Sequence, residues 1–395
     1  MRILTRYIVF DLLKVFLFTL VSMTVFVFLV LVGKEAVENG LGLVPILRMV
    51  PYMLPQAMQF AVPGTMLLAT TSVYGRIASS NEFVAVKSLG ISPMVMVWPT
   101  LILATLVSFS AVVLNDVAVS WGRGGVQRVI LESLEEIVYG RLLTKKTFSN
   151  DNVNISVRRV DGKRLIQPTI LFFDSDRDVP VTITADEADI RADYPKQAII
   201  IRFYNADIEA GDSFSISHPG VLEYPLSLAA FSGRHEGSRS PSSYSLREIG
   251  PSKTRQREEI ERLKQEMTAD AAFALMTGRT FELSQAVWQQ RERQLYGAQQ
   301  TLHRLYTEPH RRWANGFSCL CFVLIGAPMA IRRRQAEFWG SFFACFLPIL
   351  LVYYPMLVVT VDYAKDGVFP PQMVWLGNIM LAGWGAWLMQ RVVKY

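Results

Sequence analysis

Few residues of this chain stand in patterns that catalysis could use. Asp174-Ser175-Asp176-Arg177-Asp178 opens like a calcium loop. Its sixth position is Val179, where the sharp turn needs glycine, and its closing position is Ala185 rather than glutamate. The run reads as a solvated turn. His218, His235, His303 and His310 form no His-x-x-Glu-His pattern, which argues against a zinc enzyme. Gly-x-Ser-x-Gly is absent, and no Ser-His-Asp arrangement can be located. The chain also lacks G-x-x-x-x-G-K-[ST], so energy from ATP would have to come from a separate subunit. Cys319, Cys321 and Cys345 all lie in apolar surroundings and read as packing thiols rather than metal ligands. The expectation is a protein with no catalytic residue, no metal site and no cofactor.

Two other constellations suit mechanical or electrostatic work. Ser79-Ser80-Asn81-Glu82 fits a capping box, with Ser79 as cap and Glu82 reaching back. Phe83, Val84, Val86 and Leu89 then supply an apolar face, Gly90 a stop, and Ser92-Pro93 a fresh helix start. Two readings fit this short helix: a surface helix on lipid, or a coupling helix docked on a cytoplasmic ATPase. The second constellation is basic. Lys34, Arg311 and Arg312 flank apolar runs, where they could pair with lipid phosphates through charge-assisted bonds or simply snorkel to the headgroups.

The elements that must position these residues are apolar. Six stretches carry no charge: Val15 to Gly33, Met49 to Gly75, Ser88 to Asn115, Trp313 to Ile331, Phe338 to Val361 and Gly367 to Gln390. Each reaches about the 20 residues a helix needs to cross a bilayer core. Of the 395 residues, 51% are hydrophobic and 19% charged, which agrees with a polytopic membrane protein. A net charge of +6 could suggest nucleic acid, but the positions of the cations decide otherwise. Arg2, Arg6, Lys14, Arg76, Lys87, Arg332, Arg333, Arg334, Arg391 and Lys394 all fall on one side if the six spans alternate. By the positive-inside rule that side is the cytoplasm, with both termini there and Asp116 to Arg312 outside. No run holds an ionisable group in its middle, which argues against proton or sodium coupling. A cleavable signal is not expected, because the first apolar run is long and ends in Gly33-Lys34-Glu35.

The polar middle changes pattern twice. Between Val153 and Phe231 short β-type runs alternate with turn signals at Asp161-Gly162, Gly211-Asp212 and Pro219-Gly220. They predict an antiparallel sandwich or open barrel, with a jelly roll as the natural candidate. No cysteine lies there, so no disulfide can staple it. A Ser/Arg/Gly/Pro-rich linker follows Gly233, and Ser245-Leu246-Arg247-Glu248 fits a second capping box whose short helix Gly250-Pro251 should end. Ile260, Leu263, Met267, Ala271 and Leu275 recur at helical spacing within the charged stretch from Thr254 to Thr307. One or two amphipathic helices are predicted, with a break near Pro309. Pro51, Pro55 and Pro63 predict a kinked or tightly packed second span.

The fold class expected is thus an α-helical polytopic membrane protein of six transmembrane helices with an inserted periplasmic all-β jellyroll-like domain. Residues 1–116 form spans one to three, with the short cytoplasmic helix at about 79–90. Residues 117–250 form the β domain, 251–309 a charged helical connector, and 310–395 the last three spans.

Three features resemble the LptF/LptG family of lipopolysaccharide-export permeases. One is the run Pro63-Gly64-Thr65-Met66-Leu67-Leu68, Tyr74-Gly75-Arg76 and Ser80 through Pro93. A second is His310-Arg311-Arg312-Trp313-Ala314-Asn315-Gly316-Phe317-Ser318-Cys319, continuing through Gly326 to Ile331. The third is the order of three spans, β domain and three spans. The charged stretch Thr254 to Thr307 is longer than the family leads one to expect. The resemblance implies an inner-membrane subunit of an ABC-type exporter that extracts lipopolysaccharide and passes it to a periplasmic bridge. Its partners would be a cytoplasmic ABC ATPase dimer, a second related permease, a periplasmic jellyroll bridge protein, and lipopolysaccharide or a related glycolipid. Glu82 matches the acidic position of the family's coupling helix, and Arg76, Phe83 and Lys87 are further candidates for that contact. Export of another envelope lipid, or a membrane-anchored scaffold with a periplasmic binding domain, are the alternatives.

Overall fold

The computed structural model describes residues 2–39, 43–133, 138–140, 142–143, 146–149, 153–172, 181–193, 198–210, 214–227, 240–278, 286–333 and 338–394. The Asp174–Asp178 run, the Gly211-Asp212 turn, His235 and Arg334 lie outside them. The chain divides into two compact units. The helical unit comprises Met1–Phe28, Leu54–Gly122 and Ser240–Tyr395; the second comprises Leu29–Met53 and Arg123–Arg239.

All six uncharged runs lie largely in helix. They fall in α1 (Arg2–Asn39), α2 (Leu43–Ser79), α4 (Met94–Val117), α7 (Ala286–Arg332), the pair α8 (Phe338–Pro348) and α9 (Tyr354–Lys365), and α10 (Leu376–Lys394). The short α3 (Glu82–Ser88) lies between α2 and α4, and a further helix, α5 (Gly124–Glu132), follows α4. A π-helical turn, Ile349–Tyr353, joins α8 to α9 after Pro348, whose missing N–H shifts the ladder. Among the described residues four stretches are long and apolar enough to cross a membrane: Ile3–Val37, Met94–Val126, Trp288–Arg332 and Gly340–Lys365. The second and sixth expected spans are helical without being as apolar. Part of each faces protein. Asn378 of α10 donates from Nδ2 to the Ala314 carbonyl (2.8 Å), while Thr70 and Thr71 of α2 bond their own helix beside Gly326 of α7. Small and polar residues are what close helix interfaces in lipid use.

The centre of this unit is α7. A methyl group on its Gly316 would lie 2.3 Å from the Val112 side chain and 3.0 Å from the Ser108 carbonyl, so α4 crosses there with no room for a side chain. Gly385 lets α10 approach the Leu324 backbone in the same way. One apolar core joins α1, α2, α3, α4, α7 and α10 through residues such as Leu12, Met66, Phe83, Met96, Val323 and Met389. The three thiols are buried and free, with Cys319 in that core and Cys321 and Cys345 in a neighbouring one.

The predicted break at Pro309 does not occur, because α7 runs unbroken from Ala286 to Arg332. Ion pairs from Glu308 to Arg311 (2.7 Å) and Arg312 (3.6 Å) brace the turn that the proline weakens. Nor does Gly250-Pro251 end the preceding helix, α6, which spans Leu246–Met276. The clash that disfavours helix before proline involves the preceding Cβ, and Gly250 has none. The capping box at its start does form: Glu248 N–H donates to Ser245 Oγ (3.3 Å) and Ser245 N–H to Glu248 Oε2 (3.0 Å).

The second unit is built on a six-stranded antiparallel sheet of order β1-β2-β3-β4-β5-β6. The strands are Thr147–Ser149, Val153–Asp161, Arg164–Phe172, Val181–Asp193, Ala198–Ala210 and Phe214–Ser227. Every strand pairs with its sequence neighbour, so the described strands form a meander; the crossover that a jelly roll needs is absent among them. Alternation buries one face: Ile155, Leu165, Ile170, Ile190, Ile201 and Phe203 pack with Val138, Tyr139 and Leu142. Asp161-Gly162 is the hairpin turn expected, with Gly162 at φ +60°. Pro219-Gly220 is not a turn between strands. It lies inside β6 at a register shift opposite Asn205, whose Oδ1 accepts from Gly220 N–H (3.3 Å).

Candidate functional site

Helix α3 is placed by its ends rather than by the predicted cap. Asn81 takes the left-handed conformation at φ 58° and offers no side-chain cap. Ser79 ends α2 and donates to the Arg76 carbonyl (2.9 Å), while Ser80 Oγ donates to Glu82 Oε1 (3.1 Å). The capping box is therefore not formed. A left-handed Asn81 turns the chain sharply between α2 and α3, and that turn takes Ser79 out of reach of the α3 amides. At the other end Gly90, at φ +74°, stops the helix as expected.

Phe83 is 3% exposed and roots α3 in the main helical core. Glu82 and Lys87 are half-buried on α3, Ala85 and Ser88 are exposed, and Leu89, just past its end, is 75% exposed. Beneath it, buried Tyr74 shares a hydrogen bond with Thr100 Oγ1 (2.6 Å) and donates to the Met96 carbonyl (2.9 Å), tying α2 to α4. Arg76 pairs with Asp11 of α1. Of the residues expected at one contact, the structure gathers Glu82 and Lys87 on a surface helix, sets Phe83 inward and engages Arg76 with α1.

The cations expected at headgroups divide. Lys34 lies exposed near the end of α1, within the second unit. Arg311 is half-buried and holds Glu308 through Nη2 (2.7 Å) and Nε (3.3 Å). Arg312 presents no surface to a headgroup, being 0% exposed. Its Nη1 donates to Asp116 Oδ1 (2.8 Å) at the end of α4, and its Nη2 to the carbonyls of Tyr244 (2.6 Å) and Ser242 (3.4 Å). Asp116 Oδ1 also accepts from Leu246 N–H (2.8 Å), the first residue of α6. Two carboxylates and two guanidiniums thus balance in a partly buried cluster, the condition under which buried charge is tolerated.

Asp116, Glu308 and Asp11 were not singled out from sequence, though a signal existed. Asp116 is the first charge after the third uncharged run, and Arg312 the last before the fourth. Asp11 and Arg76 likewise flank the first and second runs on their shared side. Among the described residues no group of His, Cys, Asp and Glu could hold a metal ion.

The family model described as lipopolysaccharide export system permease LptF/LptG matches residues 6–391, nearly the whole chain. The chain belongs to the LptF/LptG family. No individually curated protein matches it. As an LptF/LptG permease it is a membrane transport protein of lipopolysaccharide export, of a family of inner-membrane transporter subunits rather than enzymes. The residues that carried the resemblance now have physical roles in this permease. Arg312 binds α4, Ala314 binds α10, Gly316 admits α4, and Ser80 to Gly90 form the turn and helix between α2 and α4.

Proposed function

We propose that this permease is one half of an ABC-type exporter that lifts lipopolysaccharide from the inner membrane, driven by a separate cytoplasmic ATPase dimer. In this reading six helices span the bilayer, both termini are cytoplasmic, and the sheet works in the periplasm as a jellyroll-like receiver. It hands the lipid to a periplasmic jellyroll bridge protein. The exposed apolar face of α1, including Phe18, Val21, Phe26 and Val30, suits lipid and a second related permease subunit. Lys34 and Arg311 are the cations proposed to meet lipid phosphates.

The observation that carries the reading is α3, held by Phe83 at its base with Glu82 and Lys87 at its surface. A short helix so rooted transmits a push without bending away. Motor closure applied at Glu82 would pass through Phe83 and Tyr74 into α2, α4 and α7. Co-purification tests it: Glu82→Lys should release the ATPase while leaving the permease folded. Undiminished ATPase retention together with undiminished transport would sink the assignment.

A further inference from the structure

The chain passes between its two units at four places, and helical-unit residues close in sequence to two of them bond one side chain. It leaves the helical unit after Gly122, just beyond Asp116, and re-enters at Ser240, just before Ser242, Tyr244 and Leu246. Arg312 of α7 bonds the helical-unit segments that lead to both passages. Its guanidinium holds Asp116 on the outgoing side and the carbonyls of Tyr244 and Ser242 on the returning side. Asp116 closes the ring by accepting from Leu246 N–H. Both charged groups lie at the boundary of apolar runs, where desolvation makes an unpaired charge expensive.

We propose that Arg312 is a positioning residue, a clasp that locks the outgoing and returning passages of the inserted sheet to α4 and α7. The proposal deepens the export reading and rests on it for its consequence: when the spans move, the root of the insert moves with them. Three features support a clasp over a lipid contact. Arg312 has no exposed surface, its planar fork donates to two separate chain segments, and the Asp116 carboxylate it holds also accepts the first amide of α6. A lysine could not reproduce this, because its ammonium is a point donor without the fork geometry.

The test uses the full permease with its ATPase in lipid vesicles containing lipopolysaccharide. Spin labels on exposed Val113 of α4 and Arg255 of α6 report the junction. The wild type should give one narrow distance distribution. Arg312→Met should broaden it. Asp116→Asn should do so too, and being isosteric it decides the matter if the methionine variant does not fold. ATP hydrolysis should be retained, since no clasp residue lies on α3. Lipid delivered to a photocrosslinker in the sheet, per ATP hydrolysed, should fall by roughly 5- to 150-fold, the usual size of coupling between linked sites. A merely stabilising residue would lower both readouts together. An unchanged distance distribution in the folded variants overturns the clasp. If even the wild type delivers no lipopolysaccharide, the export reading fails, and the spin-label arm still decides the clasp.

Discussion

Gly316 shows how one missing side chain sets a helix crossing. The space where its Cβ would stand is taken by Val112 Cγ2 at 2.3 Å and by the α4 backbone at 3.0 Å. Gly316→Val should therefore push α4 off α7 and cost about 1–3 kcal/mol, the usual penalty of overpacking. Gly383→Ala is the control, since nothing lies within 4 Å of the added methyl. Its effect should stay within about 1 kcal/mol of wild type. Thermal unfolding in detergent compares the two, and an equal drop in midpoint would refute the crossing argument. At this scale the sequence was half legible. Arg312 was visible as a cation beside an apolar run, but its burial depends on Asp116, 196 positions away. Pattern reading within a window cannot see such a pair. The depth-matched signs of Asp116 and Arg312 were the only local trace of it.

Helices and strands were easier to read than their ends. The uncharged runs lie largely in helix, and the short β-type runs between Val153 and Phe231 match a sheet, because burial shapes both patterns. The errors fell on punctuation. Pro309 and Gly250-Pro251 look like breaks in a sequence, yet tertiary packing keeps α7 and α6 intact through them. Ser79 looks like a cap, yet the left-handed Asn81 removes it from the helix start. Ser245 is the box that does form, so its loss is the informative one. Ser245→Ala should cost about 0.5–2 kcal/mol and speed amide exchange in the first turn of α6. Exchange in α7 should be unchanged. If exchange in the first turn of α6 stayed at the wild-type rate, the box would be geometry without energetic weight. The jelly-roll expectation goes beyond what strand patterns can fix, for a related reason. Short alternating strands specify a sheet, but their connections decide between meander and crossover, and the described strands pair only with sequence neighbours.

The whole molecule turns on which side of the membrane each unit occupies, and the charge distribution makes that a sharp prediction. Cations crowd the ends shared by α1, α2, α7 and α10, from Arg6 and Lys14 to Arg76, Arg332 and Arg391. The positive-inside rule then predicts α3 in the cytoplasm and the sheet outside. Ser88 of α3 and Ser156 of β2 are both exposed, and each accepts a cysteine with little change in size. The native thiols Cys319, Cys321 and Cys345 are buried, so they add little background to labelling. In cells with a permeabilised outer membrane, an impermeant maleimide should label Ser156→Cys at once. Ser88→Cys should react only after the inner membrane is opened. The reverse pattern would put α3 out of reach of any cytoplasmic ATPase and remove the basis of the motor assignment. It would leave the Arg312 clasp standing, because that cluster depends on packing within the helical unit rather than on the direction in which it is inserted.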